Sequence, residues 1–266
     1  MSSADFAPDR RPVRLGVQIA PQHAPYEVHR KTLQRVEDAG VDIAFNWDHF
    51  YPLSGDPEGM HFEAWTELAA WAEQTTRIEL GPLVNCNSYR NPNLQADMAR
   101  TVDHISGGRF IFATGSGWAK RDYDEYGYDF GTAGSRLDAL ARDLPVIRER
   151  WTKLNPAPTR RIPILIGGKG EQKTLRIVAE HADIWHSFVD PETLVHKLQV
   201  LQDHAAAIGR DVSEIEISNE LRDRDEATAD ALYDAGVRLF TLGITAPDHD
   251  FAAMDRWIAW RDAKNA

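Results

Sequence analysis

Short runs of apolar and β-branched residues alternate along the chain with longer segments whose apolar positions recur at helical spacing. Eight runs predict strands: Val13–Ile19, Val41–Phe45, Ile78–Cys86, Arg109–Thr114, Ile162–Ile166, Asp183–Phe188, Glu214–Ser218 and Arg238–Ile244. Between the first two, YEVHRKTLQRVEDAG carries Val28, Leu33 and Val36 as an apolar face and ends in glycine, a common helix stop. The same order of helix, short turn and strand recurs in RIVAEHADIWH and ALYDAGVRLFTLG. Its length varies, so this is architectural repetition rather than a solenoid. Strands alternating with helices imply parallel pairing, and eight such units in about 250 residues suit an α/β protein of the (β/α)8 TIM-barrel class. An open doubly wound sheet is the alternative and would normally use fewer strands. Residues 1–12 read as a polar tail and residues 13–266 as one domain, since NPAPTRR is short enough to be a single connection.

Composition narrows the function classes. With 266 residues, 42% hydrophobic and 27% charged, the chain has the material for a substantial core. No apolar run approaches the roughly 20 residues that span a bilayer. The polar N-terminus lacks the apolar stretch of a secretory signal, which predicts a cytoplasmic protein. A single cysteine, Cys86, excludes an internal disulfide and a cysteine-rich zinc site. A formal net charge of -11 argues against a nucleic-acid partner, because phosphate backbones reward clustered Lys and Arg. An anionic ligand would need a local positive or amide-lined site.

In a barrel the chemistry belongs to the loops that follow the strands. The loops after the second and fourth runs, NWDHFYPLSGDPEGMHFE and GSGWAKRDYDEYGYDFGTAGS, are long for such connections. His49 can transfer protons near neutral pH, and Asp48 beside it can orient the ring; alternatively the two form a loop pair capped by backbone groups. A metal reading would gather His49, His61, Glu63 and His186, but their spacing matches no established ligand motif, so no metal is expected. In IPILIGGKGEQKT, Gly167 and Gly168 let backbone amides approach a phosphate at a helix start; a tight turn without a ligand fits equally. Gln172 stands where a Walker P-loop requires glycine, which excludes a nucleotide triphosphatase. Trp65 and Trp71 are assigned to packing. Trp118 is the candidate for the pocket.

These motifs, in order, resemble the luciferase-like flavin and deazaflavin oxidoreductase superfamily, in particular its actinobacterial branch that uses coenzyme F420. The resemblance rests on WDHF, IELGPLVNCNSYRNP, GGRFIFATGSGWAKRDYDEYG and IPILIGGKGEQKTLRIVAEHADIWH, and it covers most of the chain. It implies a hydride-transferring oxidoreductase acting on a small organic substrate, with coenzyme F420 as cofactor, or FMN in a luciferase-like monooxygenase. It further implies a homodimer and a non-proline cis peptide near Leu83-Val84 supporting the cofactor ring. Asn85, Cys86 and Asn87 would line the ring or its ribityl chain, with Gly117 and Trp118 nearby. The phosphate would sit at Gly167, Gly168 and Lys169, and Asp48 and His49 beside the reactive carbon. Lys169, Lys173, Arg90 or Arg121 would answer the anionic tail. One departure matters: the sugar-phosphate dehydrogenase branch has a glutamate acid where this chain has Trp118, and an indole cannot donate that proton.

Overall fold

In the computed structural model, which describes residues 11–221, 225–246 and 249–266, one parallel sheet curls around until its two ends meet. Its order is β3 (Glu79–Pro82), β2 (Ile43–Asn46), β1 (Arg14–Ile19), β9 (Leu239–Ile244), β8 (Glu216–Glu220), β7 (Ile184–Ser187), β6 (Ile164–Gly167), β5 (Phe112–Gly115) and β4 (Asn85–Cys86). The seam is closed by Leu80, whose N–H donates to Arg109 O at 3.0 Å and whose carbonyl accepts from Ile111 N–H at 2.9 Å. The nine strands are the eight expected ones. The third predicted run is interrupted at Leu83-Val84, a cis peptide bond, and becomes β3 and β4. The fold is therefore the TIM barrel, and the open sheet is excluded. The predicted tail lies outside the described residues apart from Arg11 and Pro12.

Strand alternation separates two apolar layers. Ile43 and Phe45 of β2, Leu165 of β6, Ile184 of β7 and Leu239 of β9 join Ile111 and Ala113 in a small cluster inside the barrel. Their strand neighbours Ala44, Ile164, Ile166, Trp185 and Phe240 belong to a larger cluster that also holds most core residues contributed by helices, while Tyr123 joins Cys86 and Tyr89 in a third. Both faces of the strands are thus buried, as a parallel barrel requires. Glycine permits two close approaches. A Cβ on Gly81 would stand 2.4 Å from Ile111 O at the seam, and one on Gly16 would stand 2.8 Å from the Phe45 ring.

The helices are α1 (Tyr26–Asp38), α2 (Ala64–Gln74), α3 (Pro92–Ile105), α4 (Lys120–Tyr126), α5 (Ala133–Lys153), α6 (Thr174–His181), α7 (Pro191–Ala207), α8 (Glu226–Asp234) and α9 (Phe251–Asn265). Glu63, Asn91, Thr132, Asp190, Asp225 and Asp250 cap their N-termini through side-chain oxygens. Glu63, Asn91 and Asp190 end connections that leave the C-terminal edges of β2, β4 and β7, so capping there also fixes part of the rim of the barrel mouth. Trp65 and Trp71 are buried at 3% and 0% exposure, as packing residues should be. Val28 departs from the expected apolar face: it is 36% exposed, and His29 takes the inward position.

That histidine meets Glu67 of α2, with Nδ1 3.8 Å from Oε1 and both side chains 1% exposed. Neither of those atoms has a hydrogen-bond partner among the described residues, while Glu67 Oε2 accepts from Asn46 Nδ2 at 3.0 Å. Burial pushes the Glu67 carboxyl up to about 7 and pushes the His29 imidazole down, which favours the neutral form of each over an ion pair. A carboxyl that binds its proton more tightly when folded loses stability as pH rises. The loss begins near the unfolded value of about 4.3 and is complete above about 7, amounting to ~4 kcal/mol. Glu67→Gln keeps an acceptor for Asn46 and offers His29 a donor. It should raise Tm by about 5 °C or more at pH 8 and change it little near pH 4. Thermal melts at the two pH values check this, and an equal shift at both would contradict it.

Candidate active site

The loop leaving β2 is fixed by an ion pair formed in the interior. Asp48 is 1% exposed, and Arg90 grips its carboxylate through two contacts, Nη1 to Oδ2 at 2.6 Å and Nη2 to Oδ1 at 2.9 Å. The Cys86 N–H adds a third at 2.9 Å. The same guanidinium donates to Glu63 Oε1 at 2.8 Å, and Glu63 accepts from the Trp65 and Thr66 amides to cap α2. Asp48 thereby ties the loop after β2 to the end of β4 and to the start of α2. Its carboxylate faces Arg90 rather than His49.

His49 is held instead by Asp122, 73 residues further along. The Nδ1 to Oδ2 distance is 2.7 Å, and Asp122 is 2% exposed in the first turn of α4. Tyr89 O–H donates to the same Oδ2 at 2.9 Å, and the Phe50 N–H donates to Oδ1 at 3.3 Å. Burial raises the proton affinity of this carboxyl, but the hydrogen bonds from His49, Tyr89 and Phe50 outweigh it and hold Asp122 below the usual range. Sequence reading missed Asp122. It is one acid among several in KRDYDEYG, and only the docking of α4 onto the loop after β2 singles it out.

Aromatic rings wall this part of the mouth. The His49 ring meets Trp118 edge-on at 5.4 Å and Trp47 at 6.5 Å, and Phe50 stacks on Tyr126 at 3.9 Å. Trp118 is 66% exposed, at the rim. The metal candidates are dispersed to separate partners: His61 accepts from Trp47 Nε1 at 3.0 Å, Glu63 pairs with Arg90, and His186 Nδ1 lies 2.9 Å from Ser218 Oγ. Burial pushes both His61 and His186 down to about 4, which leaves them neutral.

Of the residues expected along the cofactor, Leu83 and Val84 pack on the cluster inside the barrel. Val84 lies between two glycines, since a Cβ on Gly115 or Gly167 would come within 2.9 Å or 3.1 Å of its methyl groups. Asn85 turns the other way, toward the helices: its Oδ1 accepts from Trp65 Nε1 at 2.9 Å and its Nδ2 donates to Gln95 at 2.8 Å. Cys86 Sγ lies 3.3 Å from Tyr123 OH, and burial pushes its thiol up to about 11. Asn87 donates to Asp143 at 2.8 Å, while its buried Oδ1 has no partner among the described residues. Gly117 has φ +81°, and a Cβ there would meet Tyr123 OH at 2.1 Å.

At the turn after β6, Gly168 adopts φ +133°, and its N–H donates to His186 O at 3.1 Å. That amide is therefore already committed within the barrel. Lys169 is exposed, with Nζ 5.1 Å from the Phe188 ring and no ion pair among the described residues. The other cations proposed from sequence are engaged: Arg90 with Asp48 and Glu63, Arg121 with Glu58, and Lys173 with Asp138.

A parallel (β/α)8 barrel that holds a histidine at its C-terminal mouth is an architecture that many enzymes share. The family model described as luciferase-like monooxygenase matches residues 6–258, and the chain belongs to that family. It is 26% identical over 264 residues to the pyrimidine monooxygenase RutA of Bradyrhizobium sp., an alignment that covers 91% of this chain and 67% of the relative. Across the first curated relatives, this chain spans about half to two thirds of their length. Among solved structures, an F420-dependent secondary alcohol dehydrogenase in complex with an F420-acetone adduct superposes with a TM-score of 0.79 at 18% identity, covering 91% of this chain and 96% of that one. The oxygenating constituent of 3,6-diketocamphane monooxygenase from Pseudomonas putida, in complex with FMN, gives 0.62 at 16% identity, covering 78% and 67%. These likenesses concern the fold.

Removing Arg90 would leave Asp48 charged and buried without its counter-ion, a loss that costs ~3–5 kcal/mol in comparable buried pairs. Arg90→Ala should therefore lower the urea midpoint markedly. A variant within about 0.5 kcal/mol of the parent would show the pair to be dispensable.

Proposed function

We propose that this chain is a coenzyme F420-dependent oxidoreductase that moves a hydride between the deazaflavin and a small organic substrate at the C-terminal mouth of the barrel. The observation that carries the reading is the position of His49, a proton-handling side chain fixed by a buried 2.7 Å hydrogen bond among the aromatic rings of the mouth. A bound deazaflavin would supply a carbon centre that accepts or gives up a hydride. The residues fit such a group. Leu83 and Val84 present an apolar surface cleared by Gly115 and Gly167, Asn87 keeps a buried acceptor without a partner among the described residues, and Lys169 offers for the phosphate a cation with no ion pair among them.

The chain's own contribution is positional and protic. His49 would exchange a proton with the substrate oxygen as the hydride moves, and no carboxylic acid stands at position 118 to share that task. Trp47, Trp118 and the Phe50 stack would exclude water and hold a planar partner. The second reading, an FMN-dependent monooxygenase, is favoured by the family description and by the RutA relationship.

Two measurements test the reading. Titration of the purified protein with F420 and with FMN, followed by fluorescence quenching, should show preference for F420; preference for FMN with substrate-dependent oxygen consumption would establish the alternative. His49→Ala should lower kcat by ~10²-fold or more while the cofactor Kd stays within about threefold. An unchanged turnover number would remove His49 from the mechanism.

A further inference from the structure

His49 makes its one hydrogen bond among the described residues through Nδ1, and Nε2 has no partner among them. The acceptor at Nδ1 is the buried oxygen of Asp122 that also receives the Tyr89 hydroxyl, and the other oxygen of that carboxylate receives the Phe50 amide. An ionised carboxylate only accepts, so the imidazole nitrogen facing it must carry the hydrogen. The geometry points to Asp122 as the positioning residue that locks neutral His49 in the Nδ1–H form, so that the lone pair on Nε2 is the atom available to a substrate.

This deepens the proposed function and rests on it for its catalytic consequence: neutral His49 would take a substrate O–H proton at Nε2 as the hydride leaves carbon, and would return it in the reverse direction. The proton count closes on His49 alone, with Asp122 remaining a carboxylate throughout. Burial works against that carboxylate, and the hydrogen bonds from His49, Tyr89 and Phe50 favour its ionised form. Tyr89 is itself 4% exposed, and burial pushes its phenol up, so it stays a donor.

The Phe50 amide makes the arrangement testable, because a backbone N–H cannot become an acceptor. In Asp122→Asn the carboxamide oxygen should therefore stay on Phe50, and its NH2 group should turn to His49 Nδ1. The imidazole would then have to accept at Nδ1 and carry its hydrogen on Nε2, while Tyr89 O–H can rotate to accept.

The experiment is 15N NMR of protein labelled at histidine, without added cofactor, at a pH where the ring is neutral, with His49 assigned by its loss in His49→Gln. Wild type should show a protonated Nδ1 and an unprotonated Nε2, and Asp122→Asn should show the reverse. In turnover, Asp122→Asn should lower kcat by ~10²-fold or more with KM within about threefold, whereas Tyr89→Phe, which keeps the carboxylate, should retain the wild-type tautomer. An Nε2–H form in wild type, or an unaltered tautomer in Asp122→Asn, would overturn the inference. If Asp122→Asn does not fold, the wild-type spectrum and Tyr89→Phe still decide it: a tautomer lost in Tyr89→Phe would also count against it. Failure of the proposed function is distinct, since it would appear as correct tautomers together with an unchanged turnover number in His49→Ala.

Discussion

The candidate site depends on one guanidinium. Arg90 neutralises Asp48 in the interior, reaches Glu63 at the start of α2, and so joins three segments that the chain delivers separately to the mouth. A buried carboxylate without such a partner would be strongly unfavourable, so the loop after β2 has little freedom to take another course. His49 follows directly after Asp48, and its position is inherited from that anchor. From there the ring meets Asp122, and the Phe50 amide meets the same carboxylate. The long loops after β2 and β5 are thus fastened to each other by charge-assisted hydrogen bonds, with stacked aromatic rings filling the remaining space.

The barrel beneath supplies the second constraint. Its strands are short and buried on both faces, and its seam closes at Gly81, where no side chain would fit against Ile111 O. Above that seam the strand breaks, and Leu83 and Val84 turn toward the barrel interior while Asn85 turns toward the helices. The inner wall of the mouth thus carries Leu83 and Val84 beside polar side chains, Gln18 among them, which donates to Leu83 O at 2.6 Å. Polar residues expected to touch a ligand are mostly spent on holding the wall together.

The fold was legible to a high degree. Short apolar runs, helical spacing and glycine stops located eight βα units, and even the interrupted third strand fell within a predicted run. His49 was legible as a candidate because histidine is the side chain suited to proton transfer near neutrality. Its partner was not. Asp48 was the natural candidate by adjacency, yet adjacency in a chain says little about which groups face one another when a buried arginine competes for the carboxylate. Likewise Val28 was counted on the apolar face of α1, although the packing of α1 against α2 buried His29 instead.

By itself, then, the amino-acid sequence determined the α/β barrel, the loops after the strands as the place to look for chemistry, and a glycine turn at Gly167 and Gly168. These follow from local periodicity and residue type, which act over a few positions. Tertiary structure alone decided that Asp48 belongs to Arg90 and His49 to Asp122, that Gly168 spends its amide on His186, and that Lys169 has no ion pair among the described residues while Arg90, Arg121 and Lys173 are paired. Such choices depend on which charges share a low-dielectric space, and that is set by loops converging from distant parts of the chain.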